Sequence, residues 1–171
     1  MRRQSTLAVG SFAVLLAMVF QPSRAAEPVP VKIALFAFEL DDRSAAGGLI
    51  ARDAIDDENL KKATEEARKA LAASSRYEVI DTAPVASELA SAGGVQRCNG
   101  CEAALGERLA AERSMVGLFA RVSRTEYTLQ IVVRDTRTGA ILSNAFSGLR
   151  MGANYAWPRA VASLIDDKIP Q

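Results

Sequence analysis

The sequence contains no histidine, and this absence excludes several kinds of active site. A Ser-His-Asp triad needs an imidazole to accept the proton of its nucleophile. Zinc and haem sites that use imidazole ligands are excluded for the same reason. Histidine is also the most common general base near neutral pH. We therefore expect none of these chemistries in this protein.

Sequence motifs for nucleotide binding and acyl transfer are also missing. The chain has no Gly-x-x-x-x-Gly-Lys loop, no Gly-x-Gly-x-x-Gly turn and no Gly-x-Ser-x-Gly turn. Its acidic residues stand in adjacent groups, such as 56–58 and 166–167. Adjacent carboxylates diverge on a helix or loop, so we expect solvated charges and not a metal or glycosidase site. The sequence predicts no enzyme, no cofactor and no metal.

The first 25 residues have the layout of a secretory signal peptide. Arg2 and Arg3 form a basic start, the stretch 7–20 is uncharged, and small residues stand at Ser23 and Ala25, where a signal peptidase acts. The uncharged stretch is shorter than the roughly 20 residues that a membrane span needs. We expect cleavage after Ala25, secretion across the inner membrane, a periplasmic location and no membrane span in the mature protein.

The expected mature chain, residues 26–171, carries no excess of positive charge. Removal of Arg2, Arg3 and Arg24 lowers the number of basic residues from 21 to 18, against 20 acidic residues. Domains that bind nucleic acid neutralise phosphates with clustered Lys and Arg. We therefore expect no nucleic acid among its partners. The length suits a single domain that folds without metal or several disulfides.

The first half of this domain alternates between strand and helix patterns. The apolar run 31–40 predicts one strand that is buried on both faces. The stretch 41–57 has no lasting period and predicts a surface loop. Apolar residues at helical spacing from 58 to about 74 predict an amphipathic helix. The next strand, 77–81, is expected to pair parallel to the first strand through a right-handed crossover.

The second half predicts two helices, three consecutive strands and a last helix. A brief helix begins at Pro84, and a longer one ends near Glu112. Asn154 is expected to cap the last helix, which buries a stripe headed by Trp157. The three strands are 115–122, 126–134 and 140–149. The order β-α-β-α-α-β-β-β-α predicts a single α/β (α+β) domain, with helices packed on a mixed parallel and antiparallel sheet of about five strands.

Cys98 and Cys101 are the only cysteines, and they flank Asn99 and Gly100. Asn99 and Glu102 have the spacing of a capping box, in which the two side chains satisfy backbone amides at a helix start. This spacing predicts that Cys101 lies in the first helical turn, where the helix dipole favours a thiolate.

Three roles stay open for the cysteine pair. In an oxidising compartment it is expected to form a structural disulfide that steadies the helix start. It could instead be the redox-active pair of a thiol-disulfide exchange protein, or half of an intermolecular metal site. Resemblance to thioredoxin-like proteins would imply a strand directly before the motif and a facing cis-proline. Here no proline lies between Met115 and Trp157.

One predicted strand offers a possible partner-binding face. In the alternating segment 126–134, Thr128, Gln130 and Arg134 point away from the expected core. Trp157 could contribute to such a surface, although a lone Trp at the head of an apolar stripe more often belongs to a core. A merely solvated face is the simpler interpretation of the polar strand residues.

Several segments resemble a known family. They are Cys98 to Glu102, Leu109 to Glu112, Val116-Gly117, Arg121 to Ser123, Arg134-Asp135, Thr138-Gly139 and Trp157. Through them the chain, from about Val31 to its end, resembles small exported bacterial proteins described only as a domain of unknown function. More distantly, the strand from Ile33 to Glu39 and the helix-then-hairpin layout resemble the TolB amino-terminal domain and the CsgG fold. This resemblance implies a domain that binds partners or assembles at the envelope, without a catalytic residue.

These observations predict an exported envelope protein that binds a protein partner and catalyses nothing. Two alternatives stay open. The first is a thiol-disulfide exchange protein that uses Cys98 and Cys101. The second is a small-molecule carrier, which predicts a deep apolar pocket beneath the stretch 41–57.

Overall fold

Six strands and four helices form one α+β domain in the computed structural model of the chain. The structure describes residues 29–45, 47, 53–123, 125–150 and 153–169, and it leaves out the side chains of 150 and 153–155. The predicted signal peptide, 1–25, lies outside these residues. The strands are β1 (Val31–Leu35), β2 (Glu39–Asp42), β3 (Tyr77–Ile80), β4 (Arg113–Ser123), β5 (Glu126–Asp135) and β6 (Ile141–Arg150). The helices are α1 (Ala54–Ala73), α2 (Ala86–Ser91), α3 (Cys101–Arg108) and α4 (Ala153–Lys168), and a 3-10 turn (Ala83–Val85) precedes α2.

The sheet is mixed, as the sequence predicts. Its strand order is β3-β1-β4-β5-β6, and β2 also pairs with β4. The strands β3, β1 and β4 are parallel, whereas β4, β5 and β6 are antiparallel. Val31 lies opposite Tyr77, which confirms the parallel pairing of the first two predicted strands. Gly139 has a φ of 70° in the turn between β5 and β6.

The apolar run 31–40 is broken into two strands, whereas the sequence pattern predicts a single strand. Both β1 and β2 pair with β4, on either side of residues 36–38. The Phe38 amide donates to Thr64 Oγ1 at 3.0 Å, outside the sheet. A side chain on Gly117 would begin 2.5 Å from the Phe38 ring, so only glycine leaves room for this break. Phe36 and Phe38 are both buried, so the run stays apolar through the break and hides it from the sequence pattern.

Helices cover the two faces of the sheet unequally. The helices α1 and α4 pack along one face, the α1/α4 face, and bury its larger core. Trp157 lies in this core. Its ring stacks on that of Phe119, with the ring centroids 4.0 Å apart, and lies edge-on to that of Tyr127, with the centroids 5.6 Å apart. The predicted inward stripe of α4 is thereby confirmed. A smaller core on the opposite face comprises Ala34, Phe36, Val85, Leu89, Leu105 and Ala111.

Several element boundaries differ from expectation, including those of α1, α3 and α4. Helix α1 begins at Ala54 and not at 58, because the Asp53 side chain accepts the Ile55 amide at 3.1 Å and caps the helix. Helix α3 ends at Arg108 because the backbone turns into the left-handed region at Ala110, with a φ of 56°. Helix α4 begins at Ala153, so Asn154 lies inside its first turn and does not precede it.

Candidate functional site: an uncovered sheet face beside the disulfide loop

Over β5 and β6, none of the described helices covers the face opposite α1 and α4. Its smaller core is built from residues before β4, with Val116 packed at its margin. Beyond Val116, the register places Leu118, Gln130 and Phe146 side by side across three strands, and Thr128 and Val132 flank them on β5. We call the surface formed by Val116, Leu118, Thr128, Gln130, Val132 and Asn144 the open face. All six side chains are partly or fully exposed.

A short loop forms one wall of this surface. Residues 93–100, the disulfide loop, lead from α2 to α3 and stand beside the open face. A groove of about 220 Å³ lies between them. Val116, Leu118 and Val132 supply its apolar lining, whereas Asn99 and Gln130 supply polar groups. A groove that offers both apolar and polar groups can hold an extended chain or a loop of a partner.

Glu39 anchors the disulfide loop to the sheet. Its carboxylate accepts the backbone amides of Val95 at 2.9 Å and Gln96 at 3.3 Å. The Gln96 side chain donates in turn to the Leu40 carbonyl at 3.1 Å. Gly94 has a φ of 78°, and a Cβ there would collide with the Glu39 carboxylate. The close approach therefore depends on glycine at this position.

Cys98 and Cys101 form a disulfide that closes the end of this loop, with their Cα atoms 5.3 Å apart. Both residues are partly buried. Cys101 is the first residue of α3, as the sequence predicts. The structural role of this disulfide stays a prediction, and so does the alternative role in redox exchange.

The expected capping box does not form. Gly100, with a φ of 97°, takes the position before α3, and it has no side chain to cap the helix. Asn99 lies one residue earlier and is also left-handed, with a φ of 47°. Glu102 turns away from the helix start because Arg134 provides a charged partner in a site where the carboxylate is nearly fully buried. A charged pair outweighs one neutral amide contact in such a place.

The Glu102–Arg134 ion pair joins α3 to the antiparallel hairpin. Arg134 Nε donates to Glu102 Oε1 at 2.8 Å, and Arg134 Nη1 donates to the Gly139 carbonyl at 3.0 Å. Arg134 also lines the groove. The pair therefore fixes the disulfide loop, through α3, relative to the strands of the open face.

The cysteine pair and Glu102 also form the one group of potential metal ligands found among the described residues. Their sulfur and carboxylate atoms lie within 4.8 Å of one another. However, the two sulfurs are bonded to each other and Glu102 is engaged by Arg134. A metal would need free thiolates, so this arrangement does not favour a metal site in the oxidised protein.

A second cluster of charges lies on the α1/α4 face, around Arg121. Its guanidinium donates to Asp42 at 2.9 Å, to Asp56 at 2.5 Å and to the Tyr127 hydroxyl at 3.0 Å. Burial lowers the pKa of Arg121. The hydrogen bonds to Asp56, Tyr127 and Asp42 raise the pKa by more than burial lowers it, so the net shift is upward. The pKa of Asp42 is lowered mainly by the Ser44 hydroxyl, against the effect of burial, with help from the Ser44 amide and Arg121.

Sequence reasoning missed this cluster because it treated the acidic groups as solvated. Asp56 is only 2% exposed. A usable signal was present in the alternation of β4, which puts Arg121 on the same face as Met115 and Phe119. A charged residue on a core-facing position requires a buried partner of opposite charge.

The structure brings three of the four predicted partner-face residues together. Thr128, Gln130 and Arg134 share one face of β5, as expected from the alternation. Trp157 does not join them, because it is fully buried in the core on the opposite side of the sheet. Its indole nitrogen has no hydrogen-bond partner among the described residues.

The carrier alternative concerns the stretch 41–57, of which 46 and 48–52 lie outside the described residues. Nearby, a depression of about 570 Å³ is lined by Ala37, Phe38 and Leu60, with Asp57, Lys61 and Glu65 around them. Its lining combines apolar and charged side chains, and the carrier alternative stays a prediction. Among the described helices, none combines the length and the hydropathy required to cross a membrane.

Solved structures with a similar fold come from several bacteria. Lipoprotein GNA1162 from Neisseria meningitidis is 13% identical, with a TM-score of 0.51, over 82% of this chain and all of that chain. The LpoB C-terminal domain from Salmonella enterica is 14% identical, with a TM-score of 0.48, over 74% of this chain and 87% of that chain. The PelC dodecamer from Paraburkholderia phytofirmans is 16% identical, with a TM-score of 0.42, over 82% of this chain and 86% of that chain. At these identities the likeness to GNA1162 shows the fold alone.

No curated protein matches the sequence significantly. The more distant resemblance to TolB and CsgG stays a prediction. The resemblance to a family of unknown function is confirmed, because a family model, DUF3280, matches residues 31–169, whereas export stays a prediction. The chain belongs to this family, which is described as "Protein of unknown function (DUF2380)".

Proposed function

We propose that this protein is a non-catalytic binding module of the bacterial envelope, and that a protein partner docks on its open face. The observation that carries the proposal is the unequal covering of the sheet. On β5, Leu129, Ile131 and Val133 are buried under the α1/α4 face, whereas Val132 and Gln130 between them remain accessible on the other face.

The shape and chemistry of the open face suit a protein more than a small molecule. Val116, Leu118 and Val132 supply apolar area, and Thr128 and Gln130 supply hydrogen-bonding groups beside it. Protein interfaces likewise combine apolar area with hydrogen-bonding groups. The groove beside the disulfide loop gives the surface a defined edge that a partner loop can enter.

The charge groups support binding without catalysis. Arg134 and Glu102 neutralise each other, and Arg121 is held by Asp42 and Asp56. Each of these groups is engaged in holding the fold together. Export to the periplasm is part of the proposal and depends on cleavage after Ala25.

Position-specific photo-crosslinking in cells of the source bacterium tests the proposal. A photoreactive amino acid at Gln130 is expected to give one dominant protein adduct. The matched control is the same amino acid at Lys62, an exposed position on α1. An adduct at Lys62 but none at Gln130 would place the partner on another surface and overturn the proposal.

Fractionation of the same cells tests the compartment. The processed protein is expected in the periplasmic fraction, with a mass that corresponds to loss of residues 1–25. Retention of the leader in the cytoplasm would refute the envelope role.

A further inference from the structure

Strand β6 lies at the end of the sheet, where no other described strand pairs with its outer edge. It pairs only with β5 among the described strands, and it is ten residues long. Residues 141–149 contain no charged residue and no proline. Phe146 lies near the middle of this stretch and is 64% exposed. Edge strands of monomeric proteins usually carry charges, proline or a covering element, because an open edge recruits further strands.

A groove runs along this edge, between β6 and α4. It has a volume of about 420 Å³. Phe146 lines it from one face of β6, whereas Ser147 and Leu149 line it from the other face. Ala160 and Leu164 of α4 form the opposite wall. The groove therefore follows the unpaired backbone of β6 and can admit another strand.

The exposed side of α4 is complementary to itself. Arg159, Ser163 and Asp167 lie four residues apart, so they form one row along the helix, and all three line the groove. The positive charge is at one end of the row, the negative charge is at the other, and serine is at the centre. When two such helices pack antiparallel about Ser163, each Arg159 faces Asp167 of the other copy.

The contact between β6 and α4 places Phe146 and Ser163 at similar levels. The Ser143 hydroxyl donates to the Lys168 carbonyl at 3.3 Å, which sets the level of β6 against α4. From that contact, Phe146 lies three strand residues away, or about 10 Å. Ser163 lies five helical residues away in the same direction, or about 7.5 Å. One two-fold axis can therefore pass close to both residues.

We propose that β6 pairs antiparallel with β6 of a second copy of this chain, about a two-fold axis near Phe146 and Ser163. The pairing continues the sheet across both copies and satisfies both edges. It also buries Phe146 against its counterpart and forms the Arg159–Asp167 ion pair twice. Phe146 adjoins Gln130 of the open face, but the pairing uses the outer edge of β6 and the row on α4, so it does not rest on the proposed docking of another protein.

Sedimentation of the protein purified from cells that process the full chain tests the pairing. A dimer is expected at micromolar concentration. Arg159→Glu or Asp167→Arg alone is expected to raise its dissociation constant at least about tenfold, because each places like charges together twice. The double variant, Arg159→Glu with Asp167→Arg, restores the opposite charges and is expected to recover the dimer. Both residues are exposed, so the variants are expected to fold.

Two outcomes overturn the inference. One is a monomer at about 100 micromolar and above, and the other is a dimer that neither single charge reversal weakens. A Phe146→Cys variant gives an independent readout, since directly opposed residues in an antiparallel pair are close enough for a disulfide. We expect a covalent dimer from Phe146→Cys and none from Ile55→Cys, which is also exposed. Crosslinking at Gln130 is not expected to change in the charge-reversed variants, which separates this test from that of the proposed function.

Discussion

Glu102 Oε1 and Arg134 Nε lie 2.8 Å apart, where α3 approaches the antiparallel strands. The carboxylate is 4% exposed and the guanidinium is 24% exposed. Because Arg134 also holds the Gly139 carbonyl, one side chain connects the disulfide loop, the hairpin turn and the open face. The shape of the groove therefore depends on this ion pair.

Removal of the Glu102 charge is expected to destabilise the fold. Glu102→Gln leaves Arg134 without its partner charge, and we expect a loss of about 2 kcal/mol in the free energy of unfolding, since the arginine can still reach water. Urea denaturation measures this difference. The control is Glu107→Gln on the exposed side of the same helix, with an expected change below about 0.5 kcal/mol. Equal effects of the two substitutions would contradict the assigned role of Glu102.

The disulfide is expected to contribute to stability and not to redox exchange. Substitution of both Cys98 and Cys101 by serine is expected to lower the free energy of unfolding by about 2 kcal/mol, the loop-entropy value for so short a loop. The purified protein is expected to show no insulin reduction. Insulin reduction that is abolished by Cys101→Ser would instead support the exchange protein.

Asp56 is expected to contribute more to the stability of the fold than an exposed carboxylate does. Asp56→Asn leaves Arg121 with Asp42 as its only charged partner among the described residues, and we expect a loss of about 2 kcal/mol because the site is largely buried. The exposed Asp166→Asn on α4 is the control. Thermal unfolding followed by circular dichroism compares the two. A melting temperature of Asp56→Asn equal to that of the control would show that the Arg121 cluster does not stabilise the fold.

Acid is expected to destabilise the protein partly through Asp42. The Ser44 hydroxyl, the Ser44 amide and Arg121 lower its pKa from the ordinary value of 3.8. A carboxylate whose pKa is lower in the folded state stabilises the fold above the unfolded pKa, and this stabilisation is lost as the pH falls through the folded pKa. Denaturation from about pH 6 down to about pH 3 is therefore expected to show a shallower decline in Asp42→Asn than in the wild type. Parallel declines would exclude a contribution from Asp42.

The element order and the sheet could be predicted because periodicity reports which side of an element is buried. The alternation in β5 identifies the outward positions Thr128, Gln130 and Arg134 correctly, and the apolar stripe of α4 identifies its core side. The break between β1 and β2 is hidden from the pattern, because Phe36 and Phe38 are buried on either side of it. Local spacing cannot distinguish a strand from an apolar break that packs equally well.

The candidate site could be predicted only in part, because its ion pairs join residues that are far apart in the sequence. The spacing of three residues favours Asn99 as the partner of Glu102, but its actual partner, Arg134, is 32 residues away in the chain. Asp56 and Arg121 are 65 residues apart. Such pairings depend on the tertiary fold, so local motifs favour the nearer and wrong partner.

The affinity between this protein and the partner crosslinked at Gln130 is the most direct test of docking on the open face. Calorimetry would compare the wild type with Val132→Glu on the open face and with Ile55→Glu on α1, after matched melting temperatures show that both variants fold. We predict that Val132→Glu weakens binding at least about tenfold, because it buries an unpaired charge in the interface, and that Ile55→Glu leaves the Kd unchanged. An unchanged Kd in Val132→Glu would show that the partner does not dock on the open face.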